Sequence, residues 1–180
     1  MRYVRIPQER IAVLIGPEGK VKKEIEARSK IPIHIDSEIG EITIEEQHIQ
    51  DPLMIFKVEN IVRAIGRGFS PEHALILFND TMDFFLFDIH EYVGKKRSHV
   101  KRVKARVIGR NGKTKRVLED LTSSYISIYG HTIAVIGDIA DIDITKKAID
   151  KLLSGSKHAT VYRFIEKNMK ELRLQRDFPQ

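Results

Sequence analysis

The residues best placed to do chemistry are Gly109-Arg110-Asn111-Gly112. They lie inside a stretch, Lys95 to Arg116, that carries 11 Lys or Arg and no Asp or Glu. The chemistry such a pattern suits is the grip of a phosphate chain. Two glycines without Cβ let the backbone approach a sugar-phosphate strand closely. Arg110 and Asn111 add a cation and a neutral donor between them. Arg102, Arg106, Lys101 and Lys104 precede the turn, and Lys113, Lys115 and Arg116 follow it. A helix starting at Lys113 would turn its free N–H groups and positive dipole end toward the same anion. A second turn, Gly16-Pro17-Glu18-Gly19, keeps the glycines but changes the pair between them. Pro17 removes an N–H, and Glu18 sets a carboxylate where phosphate would lie, so a weaker grip is expected there.

The two turns belong to an internal repeat. A shift of 93 residues aligns Ala12–Lys20 with Ala105–Lys113 without a gap. Ile15 then meets Ile108, Lys20 meets Lys113, and Lys22-Lys23 meets Lys115-Arg116. Ile33-His34-Ile35 meets Ile126-Ser127-Ile128, and a two-residue deletion brings Ile42-Thr43-Ile44 onto Ile133-Ala134-Val135. With two copies only, this is a duplicated domain rather than a solenoid.

Each copy must position its turn with the same elements. An opening strand is expected at Tyr3–Ile6 and at Phe84–Ile89, and a helix at Pro7–Ile15, with Pro7 in its first turn, and at Lys96–Ile108. After the turn comes a helix, Lys20–Ser29 or Lys113–Ser123. Then two strands alternate, Ile31–Ile35 with Ile42–Ile44, and Tyr125–Ile128 with Thr132–Ile136. A helix closes each copy, Pro52–Arg67 or Ile142–Leu153, and a further helical segment follows at Pro71–Phe78 or Ala159–Leu174. The fold class is α+β, with the order β-α-α-β-β-α twice. Each copy should form a three-stranded antiparallel sheet with helices on one face and an extra C-terminal helix. Domains are expected at 1–79 and 84–174, with a linker at 79–83 and a fraying tail at 175–180.

Composition narrows the class. The chain has 180 residues, 42% of them hydrophobic, which allows a packed core. Cysteine is absent, which excludes disulfide frameworks and thiol nucleophiles and suits a reducing, cytoplasmic setting. No apolar run approaches the roughly 20 residues that span a bilayer, so no membrane partner is expected. The net charge of +6 is uneven. Residues 1–80 hold 11 Lys/Arg against 13 Asp/Glu, a net of −2, and residues 81–180 hold 20 against 12, a net of +8. That asymmetry points to a polyanion bound mainly through the second half.

The duplicated Gly-x-x-Gly turn, set in this element order, resembles the KH domain of type I. The resemblance implies two tandem type I KH domains that bind single-stranded RNA. In that arrangement the turn holds the backbone, and the strand carrying Ile126 and Ile128, or Ile33 and Ile35, gives bases an apolar floor. Over nearly the whole length the pattern is similar to the archaeal ribosomal-RNA-processing KH proteins, relatives of the Dim-two or partner-of-Nob-one proteins. That similarity implies a ribosome biogenesis factor that binds the 3′ end of small-subunit ribosomal RNA. It further implies cooperation with the Nob endonuclease. Because the small-subunit 3′ end is where messenger is selected, translation initiation factors are a further candidate partner. A second function class is an RNA-binding accessory subunit of an RNA-degrading or RNA-processing enzyme complex.

Other readings fail on the residues. Gly112-Lys113-Thr114 mimics the end of a P-loop, but Val107 stands where that motif needs its first glycine. The seven histidines show no zinc-type spacing, so neither a metal nor another cofactor is expected. Asp138, Asp141 and Asp143 read as helix-start carboxylates. No nucleophile–base pair stands out, so no catalytic residue is assigned.

Overall fold

The computed structural model describes residues 1–46 and 51–177. It divides the chain into two compact units, Met1–Phe84 and Phe85–Gln180. His48 and the tail beyond Asp177 lie outside the described residues.

In the first unit β1 (Arg2–Arg5) leads to α1 (Gln8–Ile15), a single 3-10 turn at Pro17–Gly19, and α2 (Lys20–Ser29). Then come β2 (Ile33–Asp36), β3 (Glu41–Ile44), α3 (Pro52–Gly66) and α4 (Pro71–Leu75), the last running into a 3-10 turn at Ile76–Phe78. The sheet order is β1-β3-β2, with both pairs antiparallel. Val4 and Ile35 both face Ile42, while Arg2 and Ile33 both face Ile44. Strand alternation sends Val4, Ile33, Ile42 and Ile44 into a core shared with Leu14, Ile25, Ile61 and Ile65. The Asp51 carboxylate caps α3 by accepting from the Leu53 N–H at 2.9 Å, and Pro52 at the first helical position loses no bond. Pro7 stands one residue earlier than expected: with ψ at 139° it is extended and caps α1 rather than entering its first turn.

Strand β4 (Met82–Asp88) crosses the division after Phe84 and pairs in the sheet of the second unit. That unit then has α5 (His90–Val93), α6 (Arg97–Ile108), a 3-10 turn at Arg110–Gly112, and α7 (Lys113–Thr122). It continues with β5 (Tyr125–Tyr129), β6 (Thr132–Asp138), α8 (Ile142–Leu153) and α9 (His158–Asp177). The sheet order is β4-β6-β5, matching the first unit, and β5 pairs with β6 antiparallel. Phe87, Val103, Val107, Leu118, Ile126, Ile133 and Val135 share one core with the inner faces of α8 and α9.

Several features differ from the sequence reading, most by one or two residues at an element's end. The linker is shorter than 79–83, because the apolar Met82 and Phe84 extend β4 and leave only Asn79-Asp80-Thr81 as a turn. The short α5 was not anticipated; the Asp88 carboxylate caps it by accepting from the His90 N–H at 2.8 Å. Helix also persists past residue 175 to Asp177, where the expectation was fraying, and Arg176 pairs there with Asp141.

The repeat extends to single hydrogen bonds. Glu26 accepts from the Ile33 N–H at 2.8 Å, and Glu119 accepts from the Ile126 N–H at 2.7 Å. The Ser29 and Thr122 hydroxyls each donate to the carbonyl four residues back at 2.7 Å. Gly68 and Gly155 both take φ +98° at the end of the closing helix. These bonds dock the second helix and the first strand of the pair onto each other, which fixes where the turn before that helix sits.

Candidate nucleic-acid interface

The two turns follow nearly the same backbone path. Gly16 and Gly109 have φ of 71° and 74°, Glu18 and Asn111 have 53° and 52°, and Gly19 and Gly112 have 73° and 74°. The two glycines of each turn do different jobs. A Cβ on Gly16 would meet the Val21 side chain at 2.4 Å, and one on Gly109 would meet Thr114 Oγ1 at 2.2 Å. The first glycine is therefore demanded by packing inside the turn. A Cβ on Gly112 would meet nothing within 4 Å, and one on Gly19 only Lys23 at 3.7 Å. The second glycine leaves open space where an outside backbone can approach. A cation clasps each turn from the next helix: Arg116 donates to the Asn111 carbonyl at 2.7 Å, and Lys23 to the Glu18 carbonyl at 3.2 Å.

Beside the second turn lies a groove of about 770 Å³. Lys95, Arg97, Lys101 and Lys104 line it, with Val100, Ala105 and Ile108 as its apolar part and Gly130-His131 on the opposite lip. Among the described residues no carboxylate lines this groove. Arg97, Lys101, Lys104 and Ile108 recur at helical spacing, so one stripe of α6 faces it while Val103 and Val107 of the same helix are buried. Such a surface offers phosphate-binding charge along one wall and an apolar patch for unstacked bases.

The expected site residues divide by where the fold puts them. Arg110 and Lys113 are exposed at the turn, and Lys101, Lys104 and Ile108 reach the groove. Lys115 pairs with Glu119 at 3.2 Å and Lys22 with Glu26 at 3.7 Å, so both orient the carboxylate that holds the strand. Arg106 and Arg102 do not join the groove. They face a separate cleft of about 490 Å³ with Tyr92 and Leu153. Arg106 is a tie, donating to the Ser156 carbonyl at 2.6 Å, as Arg10 of the first unit does to the Phe69 carbonyl at 2.6 Å. The expected floor residues Ile33 and Ile126 are 1% and 2% exposed and belong to the core, because strand alternation turns them to the helices. Ile35 and Ile128, two residues on, are half-buried. In the first unit Ile15 and Gly16 are half-buried, Pro17 and Lys20 are exposed, and Glu18 and Lys20 lie 4.0 Å apart. The run of six buried residues in β6, from Thr132 to Gly137, leaves no exposed rung for a ligand there.

Sequence reasoning placed Lys95 and Arg97 only in the general basic stretch and missed His90 and His131 as groove residues. The period of the α6 stripe could have identified Arg97 with Lys101 and Lys104. Nothing in the sequence signals that His90 and His131 meet, yet their rings stack at 4.3 Å between centroids, 10° from parallel.

Known proteins share this architecture. The family model for the second KH domain of PNO1, a eukaryotic-type KH domain (type I), matches residues 83–170. A KH domain-containing protein of Methanocaldococcus jannaschii is 41% identical over 96% of this chain and 76% of its own length. The pre-rRNA-processing protein pno1 of Schizosaccharomyces pombe is 26% identical over 90% of this chain and 68% of its own. The crystal structure of an a/eIF2alpha–aDim2p–rRNA complex from Pyrococcus horikoshii contains a chain 44% identical to this one. The two superimpose with a TM-score of 0.86 over 94% of each.

Proposed function

The chain belongs to the Dim2/PNO1 family of KH-domain pre-rRNA-processing proteins, and from that membership we propose that it grips the single-stranded 3′ end of small-subunit ribosomal RNA during maturation. As a member of that family it is an RNA-binding ribosome biogenesis factor. The observation that carries the finer reading is the groove of the second unit, four cations and an apolar patch beside a glycine turn with nothing in front of Gly112. In this reading both units are type I KH domains in tandem. The shared element order, sheet order and turn dihedrals support that. The second unit carries the affinity, and the role is a grip rather than a catalyst. A relative solved with both rRNA and a/eIF2alpha makes an initiation factor the first protein partner to test. The Nob endonuclease is the second, on family resemblance. Among the described residues no helix is long and apolar enough to cross a membrane, which fits work in the cytoplasm.

Titration of the full chain against a fluorescent small-subunit 3′-end RNA tests this reading, with the same RNA annealed to its complement as control. The single strand should bind better, since the groove needs unstacked bases. If the four groove cations each meet a phosphate, log K should fall against log salt with a slope of about −3. Equal affinity for the duplex, or indifference to salt, would overturn it.

A further inference from the structure

Asp88, His90 and His131 converge at the lip of the groove, from the end of β4, the start of α5 and the β5–β6 turn. One ligand atom from each lies within 4.8 Å of the other two. Asp88 Oδ1 is 3.5 Å from His90 Nδ1, and Asp88 Oδ2 is 3.9 Å from His131 Nε2. Ligands held about 2.1 Å from a tetrahedral ion lie about 3.4 Å apart. The two carboxylate–imidazole spacings, each to a different oxygen of Asp88, are within about half an ångström of that edge length. The rings stack face to face, so their in-plane lone pairs do not yet converge. Binding an ion requires the His90 and His131 side chains to rotate out of the stack, and both imidazoles are exposed enough to do so, at 26% and 44%. The backbone under the cluster is fixed. The Ile89 N–H donates to the His131 carbonyl at 2.8 Å, so residues 88–90 and residue 131 are held side by side whatever the side chains do.

We propose that these three side chains bind one divalent transition-metal ion of the zinc, cobalt or nickel class. Two imidazoles and one carboxylate select such ions over magnesium or calcium, which prefer all-oxygen shells. Three protein ligands leave at least one coordination position for water or for a phosphate oxygen. The ion would add positive charge at the lip of the groove, where His90 and His131 adjoin the Asp88 carboxylate. It would thus offset that carboxylate against an incoming nucleic acid. The cluster is independent of the glycine turn, so its ion binding stands or falls without RNA.

The test is calorimetric titration of the full, tag-free chain with Co²⁺, followed by its visible absorption, in the absence of RNA and in the presence of excess Mg²⁺. One site per chain is expected, with no competition from Mg²⁺. His131→Ala, in an exposed turn, and His90→Ala should each weaken it by more than the roughly tenfold that loss of even an outer-shell partner costs. Asp88→Asn should do the same while keeping an oxygen to cap α5, so the fold is preserved. Absence of Co²⁺ binding by the parent chain would overturn the proposal. So would binding that is unchanged in the His90→Ala/His131→Ala double variant, which would assign the ion to scattered surface carboxylates.

Discussion

The Gly16–Gly19 and Gly109–Gly112 turns set nearly the same backbone in opposite electrical surroundings. In the second unit the turn carries Arg110 and Asn111, and the helix before it presents Arg97, Lys101 and Lys104 to a groove. By the 93-residue shift, the partners of Lys101 and Lys104 in the first unit are Gln8 and the buried Ile11. Helix α1 also starts at Gln8, whereas α6 begins at Arg97, in register with Val4. The comparison separates two properties that are easily merged under one motif. The glycines and the clasping cation make the shape, and shape survives duplication. The charge that would use the shape was kept, or gained, in one copy only.

The largest effect should come from reversing that charge. Arg110→Asp with Asn111→Asp sets two carboxylates at the start of α7 and should weaken RNA binding by several kcal/mol, more than a hundredfold. The same pair at Pro17 and Glu18 should change it little. Greater damage from the first-turn variant, measured on folded protein with one single-stranded RNA, would invert the ranking of the two units.

Next is the split between glycines. Gly109→Ala forces a side chain against Thr114 at a φ that suits glycine, and should destabilise the second unit by about 3 kcal/mol in urea unfolding. Gly112→Ala meets nothing and should lower stability by only about 1 kcal/mol while obstructing RNA. Equal losses of stability would mean that the two glycines are interchangeable.

A smaller effect runs in the other direction. Glu18 holds φ 53° and ψ 24°, a region that asparagine tolerates better than glutamate, and Asn111 already occupies the matching place. Glu18→Asn should stabilise the first unit by about 1 kcal/mol and bring its turn closer to the second in RNA affinity. Unchanged melting would show that the strain is carried by the backbone alone.

The smallest is a pH effect confined to the second unit. Burial, together with a 2.8 Å bond to Asp150, pushes the Tyr92 phenol up to about 12 from 10. The folded state therefore keeps the proton where the unfolded chain loses it. The Tyr92 contribution is whole below pH 10 and declines as pH rises from 10 toward 12. Tyr92→Phe should cost about 1 kcal/mol at pH 8, with the gap narrowing by pH 11. A gap that stays constant would show that the phenol is not held neutral by the fold.

Much of this molecule was legible as sequence, for reasons that individual residues make plain. The 93-residue register gave the order of elements and placed both turns, because helical and strand periods are local and glycine pairs are conspicuous. Helices α2 and α8 start and stop where their patterns do. What failed was orientation. Ile33 and Ile126 looked like a floor for bases, since alternation names a face without saying which face is covered. Arg102 and Arg106 share the basic run of Lys101 and Lys104 yet line a separate cleft, since a run of cations does not reveal which side of α6 meets the sheet turn.

By itself the sequence determined the repeated order of elements, their class, the basic charge of the second half, and the carboxylate and missing N–H of the Pro17-Glu18 turn. These follow from local periodicity, from composition and from the chemistry of single side chains. Tertiary structure alone decided which cations share a groove, that Arg10 and Arg106 are ties to a loop carbonyl, and that His131 meets Asp88 and His90. Those outcomes depend on distances between residues some 40 to 60 positions apart. Such distances are set by how α6 and the β5–β6 turn pack on a common core, and no spacing along the chain encodes them.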